Sequence, residues 1–331
     1  MNAKSLVVCI ALAAVAAAGC SPSTGYIVKP IPINEEMSET VIQTDPGFFV
    51  TDKIAIVDVE GLLMNQAQTS LLSSRDNPVS EFIEKLDKAQ GDPAVKAVIL
   101  RINSPGGAVT AADIMYHRVM EFKHARAVPV IAIIEDVGAS GGYYIACSAG
   151  TIMAHPTSIT GSIGVIVQTF SLAGTLDKLG ITADAVKSGK FKDMGSPLKA
   201  LNADDRKLIQ DTVDEFYKGF VKIVATGRGP RLSEDKVKVL ADGRVYTGEQ
   251  AKANGLIDDI GYMDDAIKLA KAQAHTSKAK VVMYHRPWGY SENAYSRQGN
   301  VAPQVNLVNI NMPGLMSLSQ PQFMYLWTGR N

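Results

Sequence analysis

Two apolar strands, each running into a stretch of small residues, constrain this chain more than any other feature. Ala97-Val98-Ile99-Leu100-Arg101-Ile102 leads into Asn103-Ser104-Pro105-Gly106-Gly107, and Pro129-Val130-Ile131-Ala132-Ile133-Ile134 leads to Gly138-Ala139-Ser140-Gly141-Gly142-Tyr143-Tyr144. A strand apolar at nearly every position is buried on both faces, which is the mark of a parallel sheet covered by helices. Helical spacing supplies the cover at Ser80–Lys88 (Phe82, Ile83, Leu86) and again over 111–123. Ile54–Val59 and Thr151–Ala154 add strands, 143–149 and 204–226 add helices, a smaller helical region spans 233–272, and Val281–Tyr284 reads as a last strand. The fold class is therefore α/β, with repeated β-α units around a parallel sheet and a smaller C-terminal helical region.

The second small-residue stretch also carries chemistry. It places Ser140 between a strand end and the first turn of a helix, whose backbone N–H groups have no intrahelical acceptor. An acyl-transfer nucleophile needs that setting: an exposed oxygen beside donors for a developing oxyanion. Taken alone, Pro105-Gly106-Gly107 reads as a tight strand-helix connection. Ser140 lies about 33 residues further on, and neighbouring parallel strands would bring both stretches to one carboxyl edge, where open α/β sheets bind ligands. One N–H from the glycine pair and one from Gly141 could then form an oxyanion hole.

A serine nucleophile needs a base, and the residues alone leave the choice open. His155, before Pro156 at a strand end, reads as a capping or surface histidine. The other candidates are Lys190 and Lys192 in Lys187-Ser188-Gly189-Lys190-Phe191-Lys192-Asp193-Met194-Gly195-Ser196-Pro197, a loop placed after an apolar strand. A lysine acts as a base only when burial disfavours its ammonium form, and spacing alone makes this a solvated loop. Cys147, inside an apolar helix, reads as a buried thiol and not a nucleophile.

Composition narrows the rest. The 331 residues carry 33 basic and 33 acidic side chains, so no basic footprint of a nucleic-acid partner exists. Cys9, Cys20 and Cys147 form neither a disulfide framework nor a metal pair, and the five histidines lack zinc-ligand spacing; no cofactor or metal is implied. Lys4, a short apolar run over 5–18 and Ala17-Ala18-Gly19-Cys20 have the order of an export signal, too short to span a bilayer comfortably. The ending resembles a bacterial lipoprotein box, which would make Cys20 the lipidated first residue of an exported, membrane-anchored chain; the alternative is an ordinary signal peptide cut near Gly19. Ser21 after it implies the outer membrane in a Gram-negative host, with the body in the periplasm. The organisation is a signal segment over 1–19, a tether over 20–50, a catalytic domain over 51–285 and a low-charge tail over 286–331. The tail's apolar end, Phe323-Met324-Tyr325-Leu326-Trp327, suits packing on its own domain or on a neighbouring subunit.

Asn103–Gly107, Gly138–Tyr144, Thr160-Gly161-Ser162-Ile163-Gly164-Val165 and Ser188-Gly189-Lys190-Phe191-Lys192-Asp193, in that order, resemble the signal peptide peptidase A (protease IV) family. Asp242–Gly248, Ala251 and Gly255-Leu256-Ile257-Asp258 resemble its closing signature, and the likeness spans about Lys53 to Ala272. The resemblance implies a Clp protease/crotonase-like fold of ββα repeats. It implies a Ser-Lys dyad peptidase with Ser140 as nucleophile, Lys192 as general base, Ser162 orienting that lysine, and Gly107 and Gly141 at the oxyanion hole. A single motif set resembles the short bacterial form, which implies a homo-oligomer, an octameric ring or dome whose serine and lysine come from adjacent protomers. The implied substrates are signal peptide remnants and other short apolar peptides. The alternatives are a non-catalytic peptide-binding lipoprotein and a crotonase-like acyl hydrolase; acyl-CoA is cytoplasmic, which weighs against the second in an exported chain.

Overall fold

The computed structural model describes residues 37–66, 68–69, 74–75, 77–285 and 322–329. The chain divides into two units, residues 1–34 and Glu35–Asn331, and every described residue belongs to the second. The export signal, Cys20 and tail residues 286–321 lie outside the described residues.

The strands are β1 (Ser38–Thr44), β2 (Lys53–Leu63), β3 (Gln68–Thr69), β4 (Ser74–Arg75), β5 (Val95–Ala108), β6 (Val130–Ala139) and β7 (Thr151–Ala154). They continue as β8 (Ile159–Gly161), β9 (Ile166–Val167), β10 (Val245–Thr247), β11 (Asp259–Ile260), β12 (Lys280–His285) and β13 (Phe323–Leu326). Helices α1 (Pro78–Gly91), α2 (Val109–Arg126), α3 (Gly141–Ala146) and α4 (Ala173–Lys178) precede α5 (Ala203–Arg228), α6 (Glu234–Leu240), α7 (Gly248–Ala253) and α8 (Met263–Gln273). The main sheet runs β1-β12-β2-β5-β6-β7-β11, parallel throughout except for the edge strand β1. The expected parallel α/β core is thus observed, and the reading of 20–50 as a tether is modified where Ser38–Thr44 joins the sheet edge.

Burial on both faces explains the near-continuous apolar runs. Val98, Leu100 and Ile102 of β5 and Ala132 and Ile134 of β6 share one face with α1, α2 and α3. Ile99 of β5 and Ile131 and Ile133 of β6 face the other way, against Ala266, Ile267 and Ala270 of α8. Local signals start α1: the Asn77 side chain accepts the Val79 N–H at 3.0 Å, and Pro78 occupies the first turn where no N–H is needed.

Both key strands outrun the expected boundaries. β5 extends through Ser104-Pro105-Gly106-Gly107, so this segment is extended strand and not the tight connection expected from Pro-Gly-Gly. β6 extends to Ala139. The two stay paired as far as Ser104 opposite Gly138 and then part. Beyond that fork the end of β6 pairs with β8, and the end of β5 pairs with β13. The fork is where the sheet opens into a cleft. The apolar strand expected before the lysine loop is absent: Gly180–Ser188 contains no strand, and α4 precedes it.

Leu100 is fully buried in the layer between β5 and the helices. Leu100→Ala is expected to lower unfolding stability by about 2–5 kcal/mol, read as a shifted midpoint with unchanged slope in urea titration. A shift under about 1 kcal/mol would mean that this layer is not the core.

Candidate active site

Ser140 sits at the fork in a conformation that its side chain disfavours. Its φ of 53° and ψ of −115° lie outside the regions open to residues with a Cβ, at an order-of-magnitude cost of about 1–3 kcal/mol. Two backbone bonds hold it there: the Ser140 N–H donates to the Gly161 carbonyl at 2.7 Å, and the Ser140 carbonyl accepts the Tyr144 N–H at 2.8 Å. The hydroxyl is not used as a helix cap, and Oγ is buried without a hydrogen-bond partner. A buried hydroxyl without a partner is costly, which sets Ser140 apart from Ser158 and Ser148, whose hydroxyls donate to backbone carbonyls.

Neighbouring turns are built on the same strain. Ser162 follows Gly161 with φ of 49°, and its N–H donates to the Arg244 carbonyl at 2.8 Å. The parallel register sets Ala139 opposite Gly161, which brings Ser140 and Ser162 to one edge. At Gly161, with φ of 84°, a Cβ would meet the Tyr246 ring at 2.6 Å, so the β8–β10 pairing itself demands glycine. Gly106 and Gly141 meet just as closely: a Cβ on Gly106 would lie 2.7 Å from the Gly141 nitrogen. The oxyanion candidates Gly107 and Gly141 therefore share the mouth of the cleft with Ser140.

The cleft is occupied by the chain's own end. β13 lies between β5 and β9, antiparallel to both, with Tyr325 opposite Gly107 and Phe323 opposite Val167. The Trp327 N–H donates to the Pro105 carbonyl at 2.9 Å. Two residues earlier in the same antiparallel ladder, that hydrogen-bonding phase falls on the Gly107 N–H and the Tyr325 carbonyl. The Tyr325 oxygen also lies 3.2 Å from where a Gly141 Cβ would stand. The Tyr325 ring stacks on Tyr144 and packs on Phe220, and its hydroxyl donates to the Phe216 carbonyl at 3.0 Å. Beside it, Phe323 meets Phe216 edge-on over a pocket of about 330 Å³ lined also by Met64, Gln66, Val109 and Thr110. Of the two expected places for the apolar chain end, the structure takes its own domain.

The lysine loop is organised by charge instead of by a core. Asp193 accepts from Lys187 at 2.6 Å and from Lys199 at 2.9 Å, and these two bonds hold its carboxyl at about 2. Lys190 pairs with Asp204 and lies over the Phe191 ring. Lys192 is exposed and, among the described residues, takes part in no ion pair. Within one chain it does not reach the Ser140 hydroxyl, which has no partner. His155 lies on the far side of β6, its ring against Tyr262 and its Nε2 buried without a partner. Burial pushes the Cys147 thiol up to about 12, which keeps it protonated and inert, as expected.

Among known proteins, the model of peptidase family S49 matches residues 123–277. A protein provisionally named signal peptide peptidase SppA in Enterococcus faecium is 38% identical over 70% of this chain and 67% of its own length. A protease provisionally named slr0021 in Synechocystis is 34% identical over 69% of this chain and 77% of its own. The chain belongs to peptidase family S49. It is a serine protease of the signal peptide peptidase kind, which displaces the acyl hydrolase and the non-catalytic readings. Protease 4 of Salmonella typhi is 35% identical over 70% of this chain, which spans 35% of that longer relative. A solved structure of the 1510-N membrane-bound stomatin-specific protease covers 66% of this chain and 85% of its own at 15% identity, with a TM-score of 0.43.

For this S49 peptidase the structure gathers Ser140, Ser162, Gly107 and Gly141 at one edge and leaves Lys192 apart. Two contributors were named in the sequence reading without their place in the site. Gly106 makes the closest approach to Gly141, and its signal was present in the glycine pair. Tyr325 fills the cleft, and nothing local in the sequence assigns an aromatic near the chain end to a strand of the central sheet.

Asp193 yields a pH prediction. Its folded value of about 2 lies below the ordinary value of about 3.9, so its ion pairs support the loop fully above pH 4 and are lost as pH falls from about 4 toward 2. A carboxyl NMR titration should show the low value, and Lys187→Met should raise it toward the ordinary one. An unshifted Asp193 in the wild type would contradict the ion-paired loop.

Proposed function

We propose that this S49 protease is an exported, membrane-anchored endopeptidase that uses a Ser-Lys dyad to degrade signal peptide remnants and other short apolar peptides. The observation that carries the reading is the buried, unpartnered Ser140 hydroxyl beside a cleft that holds an extended peptide strand. A peptide bound as an added strand gains main-chain hydrogen bonds that do not depend on its sequence, and alternate side chains enter pockets. β13 is held in that way, with its Tyr325 carbonyl between the Gly107 and Gly141 positions.

In the proposed mechanism Ser140 Oγ attacks the peptide carbonyl while the neutral amine of Lys192 takes its proton. Ser162 orients that amine, and the N–H groups of Gly107 and Gly141 receive the developing oxyanion. The protonated lysine then gives its proton to the leaving amine, and water, activated by the same lysine, hydrolyses the acyl-enzyme. Lys192 is supplied by a neighbouring copy. The surface that leads to the lysine loop favours such a neighbour: Phe170, Leu172, Leu179, Ile181, Val186 and Leu198 are all half-exposed or more. That much apolar side chain on one stretch suits a second copy better than water. A closed ring, an octamer in this reading, would give every serine a lysine and bury it, the condition under which a lysine serves as a base. Lipidation at Cys20 would hold the assembly where apolar remnants reside; no described helix is long and apolar enough to cross a membrane.

Ser140→Ala and Lys192→Ala are each expected to lower turnover of an apolar fluorogenic peptide by at least about a thousandfold. His155→Ala should retain wild-type turnover. Co-assembly of the two inactive variants tests the trans dyad, because a mixed assembly contains interfaces with an intact serine facing an intact lysine. Recovery of part of the wild-type rate supports it. Mixed assemblies without any recovery would place both residues in one protomer and overturn the shared site.

A further inference from the structure

Catalysis at Ser140 depends on where the first turn of α3 stands, yet α3 is only six residues long, Gly141–Ala146. Such a helix has little stability of its own, so its position must come from tertiary contacts. All six residues are buried, and the longest reach belongs to Tyr143, whose hydroxyl donates to the Leu256 carbonyl at 2.7 Å. Leu256 is itself anchored through its flanking residues. The Arg228 guanidinium, 1% exposed, donates to the Gly255 carbonyl at 2.9 Å and forks onto both Asp258 oxygens at 2.9 and 2.7 Å. Asp258 in turn accepts the Ile152 N–H at 2.8 Å, and its own N–H donates to the Ile152 carbonyl at 2.8 Å, which ties the pair to β7.

The same end of α5 touches α3 a second time. At Gly227 a Cβ would stand 2.3 Å from the Cys147 carbonyl, so the residue before Arg228 packs directly on the C-terminal cap of α3. Burial works to raise the Asp258 carboxyl, but its bonds to Arg228 and the Ile152 N–H, with the charges of Arg228 and Arg231, hold it below the usual range. The pair therefore stays ionised and bidentate, the geometry in which a guanidinium fixes direction as well as distance.

We propose that Arg228, Asp258 and Tyr143 form a clamp that sets the catalytic turn: the ion pair fixes the Leu256 carbonyl, which holds Tyr143 and with it the Ser140 and Gly141 backbone. They are positioning residues that act through α3. The inference rests on the reading of Ser140 as nucleophile and of Gly141 as an oxyanion donor. Oxyanion donors must stand within a few tenths of an ångström of their target, so a small rotation of α3 acts on turnover before it acts on substrate binding.

Tyr143→Phe removes one hydroxyl and leaves the buried ring. Its expected effect is a kcat lower by roughly ten- to a hundredfold with unchanged KM on an apolar fluorogenic peptide. Labelling of Ser140 by a fluorophosphonate should slow by the same factor. Asp258→Asn should reproduce both losses. Tyr284→Phe is the matched control, since the Tyr284 hydroxyl is buried without a partner, and it should leave both rates at the wild-type value. Amide exchange at Tyr144, whose N–H closes the turn on the Ser140 carbonyl, gives a readout without turnover: Tyr143→Phe in a Ser140→Ala background should quicken it at least tenfold. Wild-type kcat and labelling in Tyr143→Phe, even with a lowered Tm, would reduce the cluster to a structural role and overturn the clamp. A wild type that neither turns over nor labels would sink the nucleophile reading instead, and unchanged exchange at Tyr144 would still refute the clamp.

Discussion

The hydrogen bond from the Ser140 N–H to the Gly161 carbonyl is the contact on which the rest of the site depends. It joins two strained turns, at Ser140 and at Gly161-Ser162, across the β6–β8 pairing. Neither turn is stable by itself, because a residue with a Cβ pays for a positive φ wherever it stands. Each is over-determined by the sheet around it: Gly138 accepts the Thr160 hydroxyl, and Ser162 is held from behind by Arg244 of the closing segment. Strain that persists in this way keeps the hydroxyl of Ser140 off the helix it precedes.

The cleft follows from the same arrangement. β5 and β6 are paired as far as Ser104 and Gly138, and they part because β6 must turn at Ser140 while β5 runs on as strand through its glycines. Two unpaired strand edges then face each other, and an unpaired edge is a template for another strand. β13 meets that demand in this chain, filling the gap between β5 and β9. Tyr144 and Phe220 form the aromatic floor on which Tyr325 of β13 rests.

Charge has two different roles on either side of this cleft. Around Arg228 and Asp258 it is buried, bidentate and directional, beside the Leu256 carbonyl that accepts Tyr143 of the short helix after Ser140. Around Asp193 it is at the surface, where Lys187 and Lys199 fold a loop that has no core of its own. Surface ion pairs give such a loop a shape without much rigidity. On that loop Lys192 is exposed.

Much of the fold was legible in the sequence because burial on both faces writes itself as continuous apolar runs, and the runs at 97–102 and 129–134 named the two strands that frame the site. Ser140 and Gly141 were legible as well, since a small-residue turn between a strand and a helix marks them, whereas Ser162 and Gly107 were named only by the resemblance of their motifs. Other features were not. Pro105-Gly106-Gly107 looks like a turn and is strand, because a β-partner on each side outweighs the local preference of glycine. The tail carries no local mark of its destination, since Tyr325 pairs with a residue more than two hundred positions away. The sequence by itself determined the buried strands and the small-residue turn at Ser140, through burial pattern and the steric demands of turns, and its motifs named the remaining candidates by resemblance. Only the tertiary structure decided which of them meet, because long-range strand pairing places the serine and glycines together, lays the chain's end in the cleft, and leaves the lysine at the surface.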